Sequence, residues 1–541
     1  MSAHISPYPS DSGISVDNAA DGTTFLSSST RQLSTSSGGW ADSPLKPLTD
    51  TVPPDHPFRT LVLCFDGTGD QFDADNSNIV EFFSMLKKDD PGKQLVYYQA
   101  GIGTYTVPQI VSPMMSKFSQ TLDMAIAWNL DAHIMAGYEF LMQNYRANDR
   151  ICIFGFSRGA YTARCLAGMI HKVGLLPTCN HQQVPFAYKM YTQADDVGWK
   201  QSNAFKKTFS IDVDIEFLGV WDTVSSVGLI PRRLPFTTSN TVVRTFRHAV
   251  ALDERRAKFK ANLWNKPNQT EQLLGASDQA VDKHVKKKQK DNGHASENGK
   301  EHGNSSLKAL ERKYSKDKTA ETDIDEVWFA GCHCDIGGGS VANSVKPCLA
   351  RIPLRWMIRE CFKTHSGILF HADGLRKVGL DPACLYPIVL PRPPALPLDK
   401  SAPETAYIQK VPKKAPAPAV DDDDEEETTA LLGAKSQMEA EELADLKDSL
   451  APVYDQLSLA WFWWFLELIP LRVRFQDSDN DTVWVSKFKI NFGRGRHVPK
   501  QRRQGVRVHR SVKTRLEAEF ANGQKYSPKA GLKLEHVTWV D

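Results

Sequence analysis

The sequence predicts an α/β fold, a mostly parallel sheet with helices on both faces and long disordered insertions. Three observations predict it. Short uninterrupted apolar runs, such as TLVLCF at 60–65 and RICIFGF at 150–156, alternate with segments of helical periodicity. Such runs suit strands buried on both faces. Several of them are followed at once by glycines and by residues able to do chemistry, as expected where parallel strands end on a crevice. Polar, low-complexity stretches interrupt the pattern without destroying it.

Taken in order, the strand candidates are 60–65, 94–100, 150–156, 214–222 and 326–333, and the helix candidates are 76–88, 120–146, 158–173, 240–258 and 352–363. The long helix carries Leu122, Ile126, Leu130, Ile134, Tyr138 and Leu141 at helical spacing. Residues 1–57, rich in Ser, Thr, Gly, Asp and Pro, are expected to form a disordered arm. The main domain is expected over 58–397, with a disordered, Lys-rich insertion at about 267–322. A Pro/Lys tract and an acidic run make a linker of 398–435, and 436–541 is expected to pack on the main domain. The Lys run 286–290 and the acidic run 421–427 suit two solvated loops, a nuclear address or a partner site.

The 66 Lys and Arg nearly balance the 64 Asp and Glu, which argues against a general nucleic-acid binder. Nine scattered cysteines, with no C-x-x-C pair, suit reduced thiols and a cytoplasmic location. The first residues lack a secretory pattern, and the most membrane-like stretch, 457–471, is too short to span and is broken by Glu467 and Pro470.

The strand ends carry the functional expectation. The run 150–156 passes into Gly155-Phe156-Ser157-Arg158-Gly159, the G-x-S-x-G pattern, between a convincing strand and a convincing helix. Glycines two residues either side let backbones approach while the turn presents the serine. The Arg158 N–H is then placed to donate to an oxyanion, and the loop after 60–65 offers a second donor at Gly67 or Thr68. Asp222 follows the strand 214–222 and suits the acid that fixes a histidine's tautomer, and His333 follows 326–333 and suits the base. Asp66 and Asp335 are the alternative acids, or partners behind the histidine. The order Ser157, Asp222, His333 is that of α/β-hydrolases, so the fold is expected to be α/β-hydrolase-like.

Rival readings are weaker. A phosphatase-type D-x-D-x-T loop fails on spacing at Asp66, Thr68 and Asp70. Cys332, His333, Cys334 and Asp335 are too close in sequence to converge on one tetrahedral ion, so no metal or other cofactor is expected. His248 is expected on a charged helix in a structural role, and His509 is a spare base.

Together, LCFDGTGD, GFSRGAYTAR, FLGVWDTV, HAVALDERRAKF and VWFAGCHCDIGGG resemble one family, over about 59–363. It is the α/β-hydrolase-like domain of unknown function 2235, which includes the catalytic domain of type VI secretion phospholipase effectors. The insertions resemble those of eukaryotic, filamentous-fungal members. The resemblance implies a Ser–Asp–His hydrolase with Ser157 as nucleophile and His333 as base, acting on a lipid or other ester. A non-catalytic scaffold on the same fold, or an esterase for a soluble substrate, are the alternatives. Arg158 is expected either to pair with Asp66 or Asp222 or to reach a substrate phosphate. The aromatic run 461–465 suits packing against the sheet, or a peripheral membrane contact together with the basic segment that follows. The sequence carries no signal for oligomeric state.

Overall fold

In the computed structural model of the protein, Leu61, Leu63 and Phe65 of strand β1 (Thr60–Phe65) point to one face of a sheet and Val62 and Cys64 to the other. All five are buried, which is why the run shows no polar alternation. The structure describes residues 50–102, 118–224, 234–264, 321–398, 434–461, 463–476, 484–499, 501, 505–520 and 523–541. The expected arm, insertion and linker fall almost wholly outside these residues, as do both charge runs. Within the span 1–57 read as an arm, Thr51–Val52 pairs antiparallel with Phe370–His371.

The remaining strands of the main sheet are β2 (Gln94–Gln99), β3 (Arg150–Phe156), β4 (Ile215–Trp221), β5 (Val243–Ala251), β6 (Asp323–Phe329), β7 (Val506–His509) and β8 (Val537–Val540). Their spatial order is β8-β7-β6-β5-β4-β3-β1-β2, and every neighbouring pair is parallel. The helices used below are α1 (Asn78–Ser84), α2 (Phe118–Asn144), α3 (Ser157–Val173), α4 (Val184–Thr192), α5 (Asp196–Phe209), α6 (His333–Gly337) and α7 (Arg351–Lys363). Leu130, Ile134, Tyr138 and Leu141 of α2 pack with α3, α4 and α5 over one face, while α1 and α7 cover the other. Local chemistry sets several ends. Ser77 accepts from the Ile79 and Val80 amides to start α1, Asp195 accepts from Gly198 to start α5, and Gly174, at φ 72°, ends α3.

The span 240–258, expected as a helix, is strand β5 and the turn that follows it. Its charges look like a solvated helical face, but Arg247 and His248 are buried and paired. Arg247 donates to Glu360 and Asp323 at 2.6 Å each, and His248 meets Glu326 at 2.8 Å. Across the α7 face, Arg355 pairs with Asp445 and Asp448, and Arg359 with Glu441, so that helix α8 (Ala434–Ser449) docks through buried ion pairs. Residues 436–541 do more than pack: β7 and β8 belong to the main sheet itself.

The chain runs from β1 outward to β2 and then back to β3. Strand order therefore reverses between β1 and β3, the place where sheets of this kind carry their chemistry beyond the carboxyl ends of the strands. Among the described residues, no helix is long and apolar enough to cross a membrane.

Candidate active site

Ser157 sits at that reversal, directly after β3 and at the first position of α3. Its φ is 58°, in the left-handed region that a non-glycine residue rarely adopts. The flanking glycines make the turn possible. A Cβ on Gly155 would lie 2.6 Å from Ala160 Cα, and one on Gly159 would lie 2.3 Å from the Asp66 carbonyl oxygen. The helix therefore starts against β1, and the serine is pushed toward the ends of β4 and β6.

There it meets His333, the first residue of α6. Ser157 Oγ donates to His333 Nε2 at 2.7 Å, and His333 Nδ1 donates to Asp222 Oδ2 at 2.5 Å. The three side chains are 5 %, 4 % and 0 % exposed or less, so the row is shut away from bulk water. Asp222 follows β4 with φ 41°. Its Oδ1 accepts the Ala251 amide at 2.9 Å, and both its oxygens are gripped by the Arg496 guanidinium, at 2.5 and 2.8 Å. Burial pushes the Asp222 carboxyl up, but the Arg496 charge and the His333 hydrogen bond outweigh it and hold it well below the usual carboxylate range. Burial lowers His333, with Asp222 opposing, so its imidazole is neutral at pH 7. A neutral imidazole holding a serine hydroxyl on one nitrogen and a carboxylate on the other can take the serine proton.

The other expected residues divide. Asp335 does not touch His333; its Oδ2 accepts the Cys332 and Tyr454 amides, and burial pushes it up to about 7. Asp66 is likewise elsewhere, accepting from Ser77 at 2.6 Å and Tyr98 at 2.8 Å. Neither is the acid of the row. The Gly67 amide donates to Asp66 Oδ1 at 2.8 Å, so the Thr68 amide is the better donor candidate in that loop. The loop is stapled by Gly69 to Ile102 and by Gly101 to Asp70. Arg158 follows Ser157 in α3, and its charge acts on Asp70, while the Asp222 carboxylate is paired with Arg496. Cys332 Sγ points to the Asp253 carbonyl. His248 lies in strand β5, not on a helix, and accepts the Thr223 amide just behind Asp222. His509 is buried against Ser511 and stacked on Phe329, away from the row.

Two features went unseen in the sequence. Arg496 lies in a segment read only as basic, 274 positions from its partner. Phe156 and Phe259 flank the imidazole, with ring centroids 4.8 and 4.9 Å away, and Phe259 in turn meets Trp463 at 5.6 Å. Trp463 opens helix α9 (Trp463–Glu467). Packing accounts for Trp463 but not for its neighbours: Trp461 is 74 % and Phe465 63 % exposed, and Trp464, Leu468, Ile469 and Phe492 are exposed as well.

A parallel sheet with a reversed strand order, a serine on a strained strand-to-helix turn and a Ser–His–Asp hydrogen-bonded row define an α/β-hydrolase-like protein. Residues 59–360 match the model of the type VI secretion (T6SS) phospholipase effector Tle1-like catalytic domain, and the chain belongs to that family of lipase- or esterase-type hydrolases. It is 28 % identical over 568 residues to "Uncharacterized protein YEL023C" of Saccharomyces cerevisiae, covering 87 % of this chain and 80 % of that one. Among solved structures, an uncharacterized protein from Pseudomonas aeruginosa matches at 18 % identity and a TM-score of 0.31, over 57 % of this chain and 46 % of that one. The Tle1 effector bound to the VgrG spike of the type VI secretion system matches at 18 % identity and a TM-score of 0.25, over 54 % and 53 %. The chain spans about half the length of each of these two solved chains.

Proposed function

We propose that the protein is a serine hydrolase that cleaves a carboxylic ester of a lipid, a phospholipid in particular, through an acyl-enzyme on Ser157. The observation that carries this reading is the 2.7 Å hydrogen bond from Ser157 Oγ, on its strained turn, to the neutral His333. In the first step Ser157 Oγ attacks the ester carbonyl while His333 Nε2 takes its proton. The oxyanion accepts from the Arg158 amide and from the loop of Gly67 and Thr68, with Thr68 preferred. The carbon–oxygen bond to the alcohol breaks, and His333 returns the proton to the departing oxygen. Water then attacks the acyl group, His333 takes a proton from it, and the fatty acid leaves as that proton passes back to Ser157. Asp222 holds the imidazole in the tautomer this needs.

The lipid assignment draws on the family and on the aromatic patch. Trp461, Trp464 and Phe465 are exposed beside Trp463, which reaches His333 through Phe259. Lys489 and Arg494 are exposed on the strand and turn that follow. Exposed aromatics with basic neighbours suit the headgroup zone of an anionic bilayer. The first test is labelling with a fluorophosphonate probe. Wild type is expected to label, and Ser157→Ala and His333→Ala are not. An unlabelled wild type, or a labelled Ser157→Ala protein, would sink the reading. On vesicles of phosphatidylglycerol, a Trp461→Ser/Phe465→Ser protein is expected to lose more rate than on a soluble short-chain ester. Equal losses on both would remove the patch from the substrate argument.

A further inference from the structure

We propose that Arg496 is a positioning residue for the Ser157–His333–Asp222 row: it fixes the two groups that flank the imidazole and thereby makes the C-terminal segment part of the active site. The inference rests on the hydrolase reading above. Its basis is a buried fork. Arg496 is 3 % exposed and makes five donor contacts. Two go to the oxygens of Asp222, one to the Ala251 carbonyl at 3.2 Å, and two to the Phe259 carbonyl at 3.0 and 2.6 Å. A guanidinium has five N–H donors in a fixed plane, so this environment uses its full capacity. Asp222 carries the Nδ1 partner of His333, and Phe259 presents its ring to the same imidazole at 74°. One side chain therefore sets both.

The segment that supplies it is tightly held. A Cβ on Gly495 would lie 1.7 Å from the Lys529 carbonyl oxygen, and the Gly531 amide donates to Arg496 O at 3.1 Å. The buried Glu467 carboxylate, at the end of α9, accepts the Ala257 amide, Asn491 Nδ2 and the Gly493 amide. Arg496 is thus anchored from both the aromatic helix and the strand-end turn. It also lies well beyond residue 360, where the family match ends.

The role has a signature that general stabilisation lacks. The groups facing His333 are Ser157, Asp222, Glu254, whose Oε2 accepts the His333 amide, and Arg256, which is paired to Glu254. Arg496 stands behind Asp222, and its charge acts on Lys260, which Glu467 offsets. Without the guanidinium to offset it, the Asp222 charge acts more strongly on the imidazole, against burial and Arg256, and favours its protonated form. Less acid is then needed to protonate His333, so the pH at which it becomes a competent base rises.

The experiment measures fluorophosphonate labelling rates of the full chain across pH 5–8. Arg496→Gln is expected to label at least about tenfold more slowly at pH 7. Its acid limb is expected to move up by about half to one pH unit. Arg496→Lys keeps the charge but not the fork, so its limb should return toward wild type while its rate stays reduced. Lys529→Gln, an exposed side chain whose backbone packs against Gly495, is the control for the segment. A folded Arg496→Gln protein with wild-type rate and limb overturns the proposal. If Arg496→Gln loses its near-UV circular dichroism, Arg496→Lys decides: a reduced rate in folded protein supports the fork, and a wild-type rate overturns it. A wild type that does not label brings down the hydrolase reading and this inference together, whereas a labelled wild type matched by both variants brings down only this one.

Discussion

The strand ends after β4 and β6 each bury a carboxylate in the neighbourhood of one histidine, and the two acids are shifted in opposite directions. Asp222 is surrounded by a guanidinium and an imidazole and is held ionised far below the ordinary range. Asp335, two residues after His333, receives only neutral amides at Oδ2, and burial pushes it up to about 7. Both are shielded from water, so burial does not separate them. What separates them is the charge of the partner: backbone amides offset part of a desolvation cost, and a full positive charge reverses it. Only the first acid can steady an imidazolium through a reaction.

The largest effect that would break this contrast is its inversion by mutation. Asp222→Asn is expected to reduce kcat/KM by about a thousandfold to ten-thousandfold on any ester the protein accepts. If Asp335→Asn caused the larger loss, the acid would have been misassigned. Next comes Gly159→Ala, which drives a methyl into the Asp66 and Phe65 carbonyls and moves the serine relative to both acids. Thermal unfolding should show a loss of about 1–3 kcal/mol together with lost labelling. An unchanged melting temperature would mean the turn is slacker than its geometry. The third effect concerns pH. His333 must be neutral to accept the serine proton, and burial lowers its pKa. The acid limb of kcat/KM is therefore expected below the ordinary histidine value of about 6.5. A limb above that value would show Asp222 dominating over burial. Asp335→Asn should be the mildest. Its amide oxygen can still accept from Cys332 and Tyr454, so the rate should stay within a few-fold and the melt nearly unchanged.

Much of the sheet was legible because buried parallel strands leave an unbroken apolar trace, as in β1 and β3. The serine turn was legible because its steric demand is written as glycines at fixed offsets. β5 was misread because Arg247 and His248 look like surface charges until Glu360, Asp323 and Glu326 are brought to them. A residue's partner is not a local property. The same holds for Arg496: a basic loop and a buried clamp have the same composition, and only the fold distinguishes them. Asp222, the carboxylate that meets His333, could by contrast be picked out by its place after a strand, though not by anything that excluded Asp66 or Asp335 in advance.

The junction of β6 with β7 has a practical consequence for how the chain can be cut. β7 pairs with β6 at Val508 and Trp328, and Val506, Val508 and Val512 cover Trp328 and Val250. A fragment trimmed to the family match would end with β6 as an outermost strand, its amides and carbonyls open and its tryptophan bare. An open strand edge is a template for pairing with another chain at Val327–Phe329, while Asp323, Asp325 and Glu326 blunt its first half. The recognisable stretch of this protein leaves out two strands of the main sheet, so the boundary of the homologous region should not be taken as a place to stop an expression clone.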